Sequence, residues 1–461
     1  CPFPVVGRSS NKNISVHLAR VALPVTANLP PDPPLPSPGY PTEMAVSGGG
    51  AAAAALALTL LPLFCCCVSG AVHGSSASSA LRRAVPRGGA GDGGLCEQML
   101  LPLGYPCTEH TVETSDGFLL SLQHIPHGKN GVADNTGPPV FLQHGLFQGG
   151  DTWFVNSAEQ SLGYILADNG FDVWIGNVRG THWSKGHSTL TVHDKLFWDW
   201  SWQELAEYDL LAMLSYVYTV RQSKILYVGH SQGTIMGLAA FSLPEIAKMI
   251  SSAALLCPIT YLDHVSSRFV IRAVAMHLDQ MLLTMGIHQL NFRSNMGVQI
   301  LDSLCDDGHV DCSSLLSAIT GENCCFNGSR IDYYLEYEPH PSSTKNLHHL
   351  FEMIRKGTFA RYDYGLWGNL KRYGQLRPPP FDLSSIPESL RMWMGYGGLD
   401  ELADVIDVDR TIKELRSTPE LLYIGDYGHI DFVMSVKAKD DVYVDLMRFL
   451  RVNGSSLHSS Y

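Results

Sequence analysis

Lys224-Ile-Leu-Tyr-Val-Gly-His-Ser-Gln-Gly233, running on into Thr234-Ile-Met-Gly-Leu-Ala-Ala-Phe-Ser242, decides how the rest of the chain is read. Residues 224–228 have the apolar, β-branched character of a short buried strand, and residues 233–242 read as a small-residue helix. At the junction stands Gly229-His-Ser-Gln-Gly233, a G-x-S-x-G pattern. The flanking elements matter more than the five letters, which arise often by chance. A serine hydroxyl is a poor nucleophile, and a sharp strand-to-helix turn lifts Ser231 Oγ clear of the backbone toward a base. So tight a turn leaves no room for side chains at Gly229 or Gly233, hence glycine at both.

Outward from this turn, strand and helix patterns alternate. Residues 109–114 and 118–123 are alternating runs joined by Ser115-Asp-Gly117, a hairpin signal. Residues 140–143, 171–175, 252–256, 390–394 and 421–424 read as short apolar strands, and 158–169, 202–220 and 440–450 carry helical periodicity. This rhythm predicts an α/β fold: a mostly parallel sheet with helices on both faces. Residues 258–385 break it and read as a mainly helical insertion, with one long apolar helix expected over 269–283.

A serine elbow needs an oxyanion hole, an acid and a histidine, the last two following in that order. His144-Gly-Leu146 comes directly after strand 140–143, so the oxyanion donors are assigned to the backbone N–H groups of Leu146 and Gln232. Each such donor is worth about 3–4 kcal/mol of transition-state stabilisation. His144 itself is read as a turn histidine. Asp400 ends Gly397-Gly-Leu-Asp400 after strand 390–394, with Asp404 and Asp407 as rivals. His429 lies in Tyr427-Gly-His-Ile-Asp431 beyond strand 421–424, and its rivals are His264, His277, His348 and His349. In the expected relay Ser231 attacks an acyl carbonyl, His429 takes and returns the proton, and Asp400 holds the imidazole tautomer.

The 461 residues carry 32 Lys+Arg against 44 Asp+Glu, a net charge of -12, which argues against nucleic acid as a partner. With 45% hydrophobic and 16% charged residues there is material for a large core. The first 43 residues are Pro-rich, begin at Cys1 and read as an unstructured leader of doubtful status. Met44 then opens an export signal over 44–71, an Ala/Leu run closed by Ser69, Gly70 and Ala71; an anchor acylated at Cys65–Cys67 is the alternative. Residues 72–94 read as a flexible linker. Their glycine run lacks the strand and Lys-Ser/Thr of a phosphate loop.

Seven cysteines remain beyond that point. Cys96 and Cys107 bracket a short Pro/Gly loop that suits a local disulfide. Cys305, Cys312, Cys324 and Cys325 crowd into one region with their pairing open, and Cys257 is the expected free thiol. Zinc is disfavoured because paired C-x-x-C hooks are missing, and neither metal nor cofactor is expected. Asn327-Gly-Ser329 and Asn453-Gly-Ser455 are glycosylation sequons, in keeping with export. His182, Trp183, His187, Trp198, Trp200 and Trp202 are read as packing residues, and Gly176-Asn-Val-Arg-Gly180 as a structural loop.

From about residue 95 to 450 the chain resembles the acid lipases, a family that includes gastric and lysosomal lipases and their plant counterparts. The resemblance rests on Gly104-Tyr-Pro-Cys-Thr-Glu109, Thr114-Ser-Asp-Gly117, Gln143-His-Gly-Leu146, Gly176-Asn-Val-Arg-Gly180, Glu207-Tyr-Asp209 and Gly229-His-Ser-Gln-Gly-Thr234. It continues through Tyr362-Asp-Tyr-Gly365, Gly397-Gly-Leu-Asp-Glu-Leu-Ala-Asp404 and Tyr427-Gly-His-Ile-Asp-Phe432. Cys96 and Cys107 look like the plant branch. The resemblance implies an α/β-hydrolase core over 95–257 and 386–461 with a cap over 258–385, in an exported, extracellular or vacuolar/lysosomal glycoprotein. It implies hydrolysis of triacylglycerols or sterol esters at a lipid–water interface, with nucleophile, acid and base at Ser231, Asp400 and His429 and oxyanion donors at Leu146 and Gln232. A monomer is expected. The cap helix, with Met276, Met281, Met285 and Leu282, then reads either as a buried element or as a lid whose Met276 and Leu282 line an acyl-binding face. A short-chain esterase, an acyltransferase and a non-catalytic lipid carrier are the competing readings. The presence of all three triad residues weighs against the carrier.

Overall fold

In the computed structural model of the chain the described residues are 93–131, 137–294, 297 and 315–455. The expected leader and export segment, and nearly all of the linker, lie outside them, as do Cys305 and Cys312.

The alternating runs form the antiparallel hairpin β1 (Thr108–Glu113) and β2 (Phe118–Ile125), closed where Thr114 N donates to Phe118 O. β3 (Pro139–Gln143), β4 (Asp172–Gly176) and β6 (Ile225–His230) are buried at every residue, as strands covered on both faces must be. With β5 (Gly186–His187), β7 (Ile250–Leu256), β10 (Arg391–Gly397) and β11 (Glu420–Ile424) they build, among the described residues, a nine-stranded sheet. Its order is β1-β2-β4-β3-β6-β7-β10-β11, with β5 paired to β2. Every pairing from β4 to β11 is parallel. β8 (Gln289–Leu290) and β9 (Ser342–Ser343) form a separate small ladder.

The helices of the first half of the sheet include α1 (Leu162–Asp168), α2 (Leu210–Arg221) and α3 (Gln232–Phe241). α1 starts later than the periodicity suggests, because Ser157 O accepts from both Gln160 N and Ser161 N and holds that segment as a turn. Between β7 and β10 the chain leaves the sheet for α4 (Arg268–Ala275), α5 (Leu278–Thr284), α6 (Ile331–Tyr337), α7 (Thr344–Lys356) and α8 (Gly365–Tyr373). It returns through β10, α9 (Val405–Glu414), β11 and α10 (Val444–Ser455), which packs on β6, β7 and β10.

The single helix expected over 269–283 is therefore two. His277 takes a left-handed conformation (φ 50°) and breaks it. Asp279, just past the break, is held by Arg355 Nη2 at 2.7 Å and His348 Nδ1 at 2.5 Å on α7. The apolar faces of the halves, Phe269, Ala273 and Val274 on α4 and Leu278 and Leu282 on α5, then close over Phe351 and Leu290. Met276, Met281 and Met285 are left facing outward.

The strand order places the site. β4 lies on one side of β3 and β6 on the other, so successive connections diverge at the β3/β6 boundary. In open α/β sheets the crevice beyond the carboxyl ends of such strands is where ligands bind.

Candidate active site

Ser231 leaves the carboxyl end of β6, the loop with Leu146 leaves β3, Asp400 follows β10, and His429 follows β11. All four strands run the same way, so these segments emerge on one rim. The elbow is strained: Ser231 sits at φ 53° and ψ -118°, a region that costs about 1–3 kcal/mol. A Cβ on Gly229 would stand 2.9 Å from the Gly233 carbonyl group, and one on Gly233 would run into the Gln143 carbonyl oxygen. The turn is held by Ser231 N donating to Leu256 O and by Thr234 N donating to Ser231 O.

His429 Nδ1 lies 2.8 Å and 3.0 Å from the two carboxylate oxygens of Asp400. Asp400 Oδ1 also accepts from the backbone N–H groups of Leu402 and Ala403. Burial pushes the Asp400 carboxyl up, but the His429 charge and hydrogen bond, with those two N–H groups, hold it below the usual carboxylate range. An ionised Asp400 fixes the hydrogen on Nδ1 and leaves Nε2 with its lone pair. Among the described residues Nε2 is buried without a partner, and no hydrogen bond joins it to Ser231 Oγ. The ring lies 5.1 Å, centroid to centroid, from that of His230, the neighbour of Ser231. Such bonds commonly tighten only when substrate is bound.

The loop that carries Leu146 lies against the elbow: a Cβ on Gly145 would stand 3.0 Å from Ser231 Cβ. Gln232 opens α3, where the first N–H groups have no intrahelical acceptor, and neither its N–H nor that of Leu146 has one among the described residues. Gln148 organises the loop: its Oε1 accepts from Gly145 N at 2.8 Å and contacts His230 Nδ1 at 3.0 Å, and its Nε2 donates to Thr152. His230 Nε2 contacts the His429 carbonyl, so His230, already on Gln148, ties the loop of Leu146 to the loop of His429. Asn346 on α7 donates to Gln232 Oε1 at 2.7 Å, so the insertion supports the elbow. His144 is a turn residue, with Nδ1 on Gly145 O and Nε2 accepting from Val178 N. Burial lowers His144 to about 4 and His230 to about 3, keeping both neutral.

The rivals are occupied elsewhere. His264 pairs with Asp407 at 2.7 Å, Asp404 caps α9 through Ile406 N, His277 precedes α5, His348 binds Asp279, and His349 lies between Ser201 Oγ and Ala360 O. Trp198, Trp200 and Trp202 are core residues. Arg179 is a buried structural group forked onto Asp116 and Asp209. Met276 and Leu282 point apart, Met276 being 48% exposed and Leu282 2%. Cys96 and Cys107 form a disulfide, Cys324 and Cys325 are bonded to each other, and Cys257 is a free, buried thiol donating to the His429 carbonyl. Asn327 caps a short turn, and Asn453 Nδ2 donates to Phe449 O within α10. Gln148, His230 and Asn346 were not legible beforehand. Their roles depend on contacts between segments far apart in the chain, and no spacing rule announces them.

Residues 96–157 match the family described as the partial α/β-hydrolase lipase region, and residues 138–297 match the α/β-hydrolase fold family. Triacylglycerol lipase 1 of Arabidopsis thaliana is 60% identical over 362 residues, spanning 78% of this chain and 91% of that protein. Triacylglycerol lipase 2 of the same plant is 40% identical over 367 residues, covering 78% and 88%. The gastric triacylglycerol lipase of Bos taurus is 35% identical over 364 residues, covering 77% and 90%. The chain belongs to the acid lipase family of α/β-hydrolases.

Proposed function

We propose that the protein hydrolyses carboxylic esters of lipids, triacylglycerols first among them, with Ser231 as nucleophile, His429 as base and Asp400 as its orienting acid. The observation that carries this reading is the buried Asp400–His429 pair on the same rim as the strained Ser231 elbow. Ser231 Oγ attacks the ester carbonyl while His429 Nε2 takes its proton, and the N–H groups of Leu146 and Gln232 receive the oxyanion. Collapse expels the alcohol with the proton from His429 and leaves an acyl-serine. A water, deprotonated by His429, then releases the fatty acid. The relatives named as triacylglycerol lipases support the glyceride as substrate.

The same reading takes the chain through the secretory pathway, to the cell exterior or a vacuolar or lysosomal compartment, with glycans at Asn327 and Asn453. The Cys96–Cys107 disulfide supports an oxidising compartment. Among the described residues no helix is long and apolar enough to cross a membrane.

A fluorophosphonate probe tests the core of this reading. Ser231 is expected to be labelled, and Ser231→Ala to lose both labelling and hydrolysis across an ester series of increasing chain length. Labelling that survives Ser231→Ala, or an unreactive wild-type chain, would overturn it.

A further inference from the structure

Beside the oxyanion loop lies a second cluster of buried ionisable groups that the relay does not use. The segment Glu338-Pro-His340, between α6 and β9, presses on the residues just after Leu146. His340 N donates to Phe147 O at 2.7 Å, and Gly149 N donates to Glu338 Oε1 at 3.3 Å. Asp151 Oδ1 takes Trp183 Nε1 at 2.5 Å and His340 Nε2 at 2.8 Å. The remaining oxygens, Asp151 Oδ2 and Glu338 Oε2, are buried without a hydrogen-bond partner, and His340 Nε2 stands 3.9 Å from Glu338 Oε2. One oxygen of each carboxyl and His340 Nε2 fall within 4.8 Å of one another.

Two explanations fit such a cluster, a cation or a proton. His182 N donates to His340 Nδ1 at 3.0 Å, so the neutral ring carries its hydrogen on Nε2, facing Asp151. That nitrogen has no lone pair to offer a metal. Two carboxyl groups this close in a dry site cannot both ionise, and a single proton between them satisfies both orphan oxygens.

We propose that Glu338 is a positioning residue for the proposed oxyanion donor Leu146: as a neutral acid it keeps its proton, donates a hydrogen bond through it to the Asp151 carboxylate and clamps the loop, and on ionising it releases the clamp. The inference rests on the function proposed above and concerns how that site is regulated by pH. Burial first, and then Asp151, raise the Glu338 carboxyl well above the usual range. Burial also pushes Asp151 up, but the hydrogen bonds it accepts from His340 and Trp183 hold it low. The groups facing the pair are His340, His182 with Lys185 beyond it, His144 on the oxyanion loop, Arg293 after β8, and Tyr333 and Tyr337 on α6. Burial lowers His182 to about 3 and His144 to about 4, so neither supplies charge. Arg293 spends its Nη2 on the carbonyls of Leu335 and Glu338. Glu338, with its pKa raised, helps below that pKa and fails as pH rises through it. Turnover therefore falls on the alkaline side.

The test is the pH profile of kcat and KM from pH 5 to 9 for wild type and Glu338→Gln, with a soluble ester. Gln keeps the carbonyl for Gly149 and offers Asp151 an N–H that cannot ionise. The ratio of kcat at high to low pH should rise about tenfold in Glu338→Gln, a fraction of what a lost oxyanion donor costs. An unchanged alkaline limb in Glu338→Gln overturns the proposal. Should that variant not fold, wild type alone decides: kcat must fall with KM steady while the melting temperature holds, and a flat kcat overturns the proposal. Fluorophosphonate labelling at pH 5 separates the two readings. With Ser231 labelled, a failed pH test sinks only the clamp; with Ser231 unreactive, the hydrolase reading falls and the clamp with it.

Discussion

Asp400 shows how much chemistry rests on which atom bears a hydrogen. Its Oδ1 takes the N–H groups of Leu402 and Ala403, while Oδ2 lies 2.8 Å from His429 Nδ1. Asp400→Asn would keep its carbonyl on the two backbone donors and turn its amide toward Nδ1. The imidazole would then carry its hydrogen on Nε2, with no lone pair for Ser231. Steady-state kinetics should show kcat reduced about 10^4-fold with KM little changed. A loss below tenfold would mean that Asp400 does not set the tautomer. Ser231 and Asp400 were readable as candidates because each follows an apolar strand and each has few alternatives there. Glu338 was not: its meaning comes from Asp151, on a segment far earlier in the chain, and a lone Glu before a proline carries no signal of burial.

At the scale of elements, the strands could be read directly. β3, β4 and β6 are buried on both faces, and a doubly covered strand reads as a near-continuous apolar run with polar residues at its ends. The insertion could not be read so closely. Periodicity joined 269–283 into one helix, whereas His277 and the pull of Arg355 and His348 on Asp279 divide it. The division changes how an acyl-binding face must be tested. Leu282 holds α5 to Phe351, so Leu282→Ser should destabilise the protein by about 2–5 kcal/mol and depress every substrate alike. Met276 and Met281 stand outward at 48% and 41% exposure, so replacing them leaves the packing intact. If these methionines meet the acyl chain, Met276→Ser with Met281→Ser should lower kcat/KM for long-chain esters about tenfold more than for short-chain ones. That is the worth of about 1.5 kcal/mol of apolar contact. Equal losses on both would remove the methionines from the acyl face.

Across the whole molecule, what holds the site is the way distant segments are tied around one sheet. Arg179 is one such tie outside the rim. Its guanidinium reaches Asp116 in the β1–β2 turn and Asp209 before α2, both at 2.6 Å, and lies 3.9 Å from the centre of the Phe118 ring. The sequence motifs around these three residues were visible, but the strand order that brings them together was not, since nothing local encodes which strands become neighbours. Arg179 is 1% exposed and Asp209 fully buried, so removing the cation strands a carboxylate in the interior. Arg179→Met should cost about 3–5 kcal/mol in urea unfolding at pH 7. Arg179→Lys should recover less than half, because an ammonium cannot fork onto two carboxylates and stack on Phe118 together. Burial raises the Asp209 carboxyl even with Arg179 present, and without the arginine it would rise further. A group with a raised folded pKa favours the native state most when protonated. The deficit of Arg179→Met should therefore shrink as pH falls from 7 toward 4, where Asp209 takes up its proton. A deficit that is constant or grows over that interval would show that Arg179 stabilises the fold through packing, with its charge contributing little.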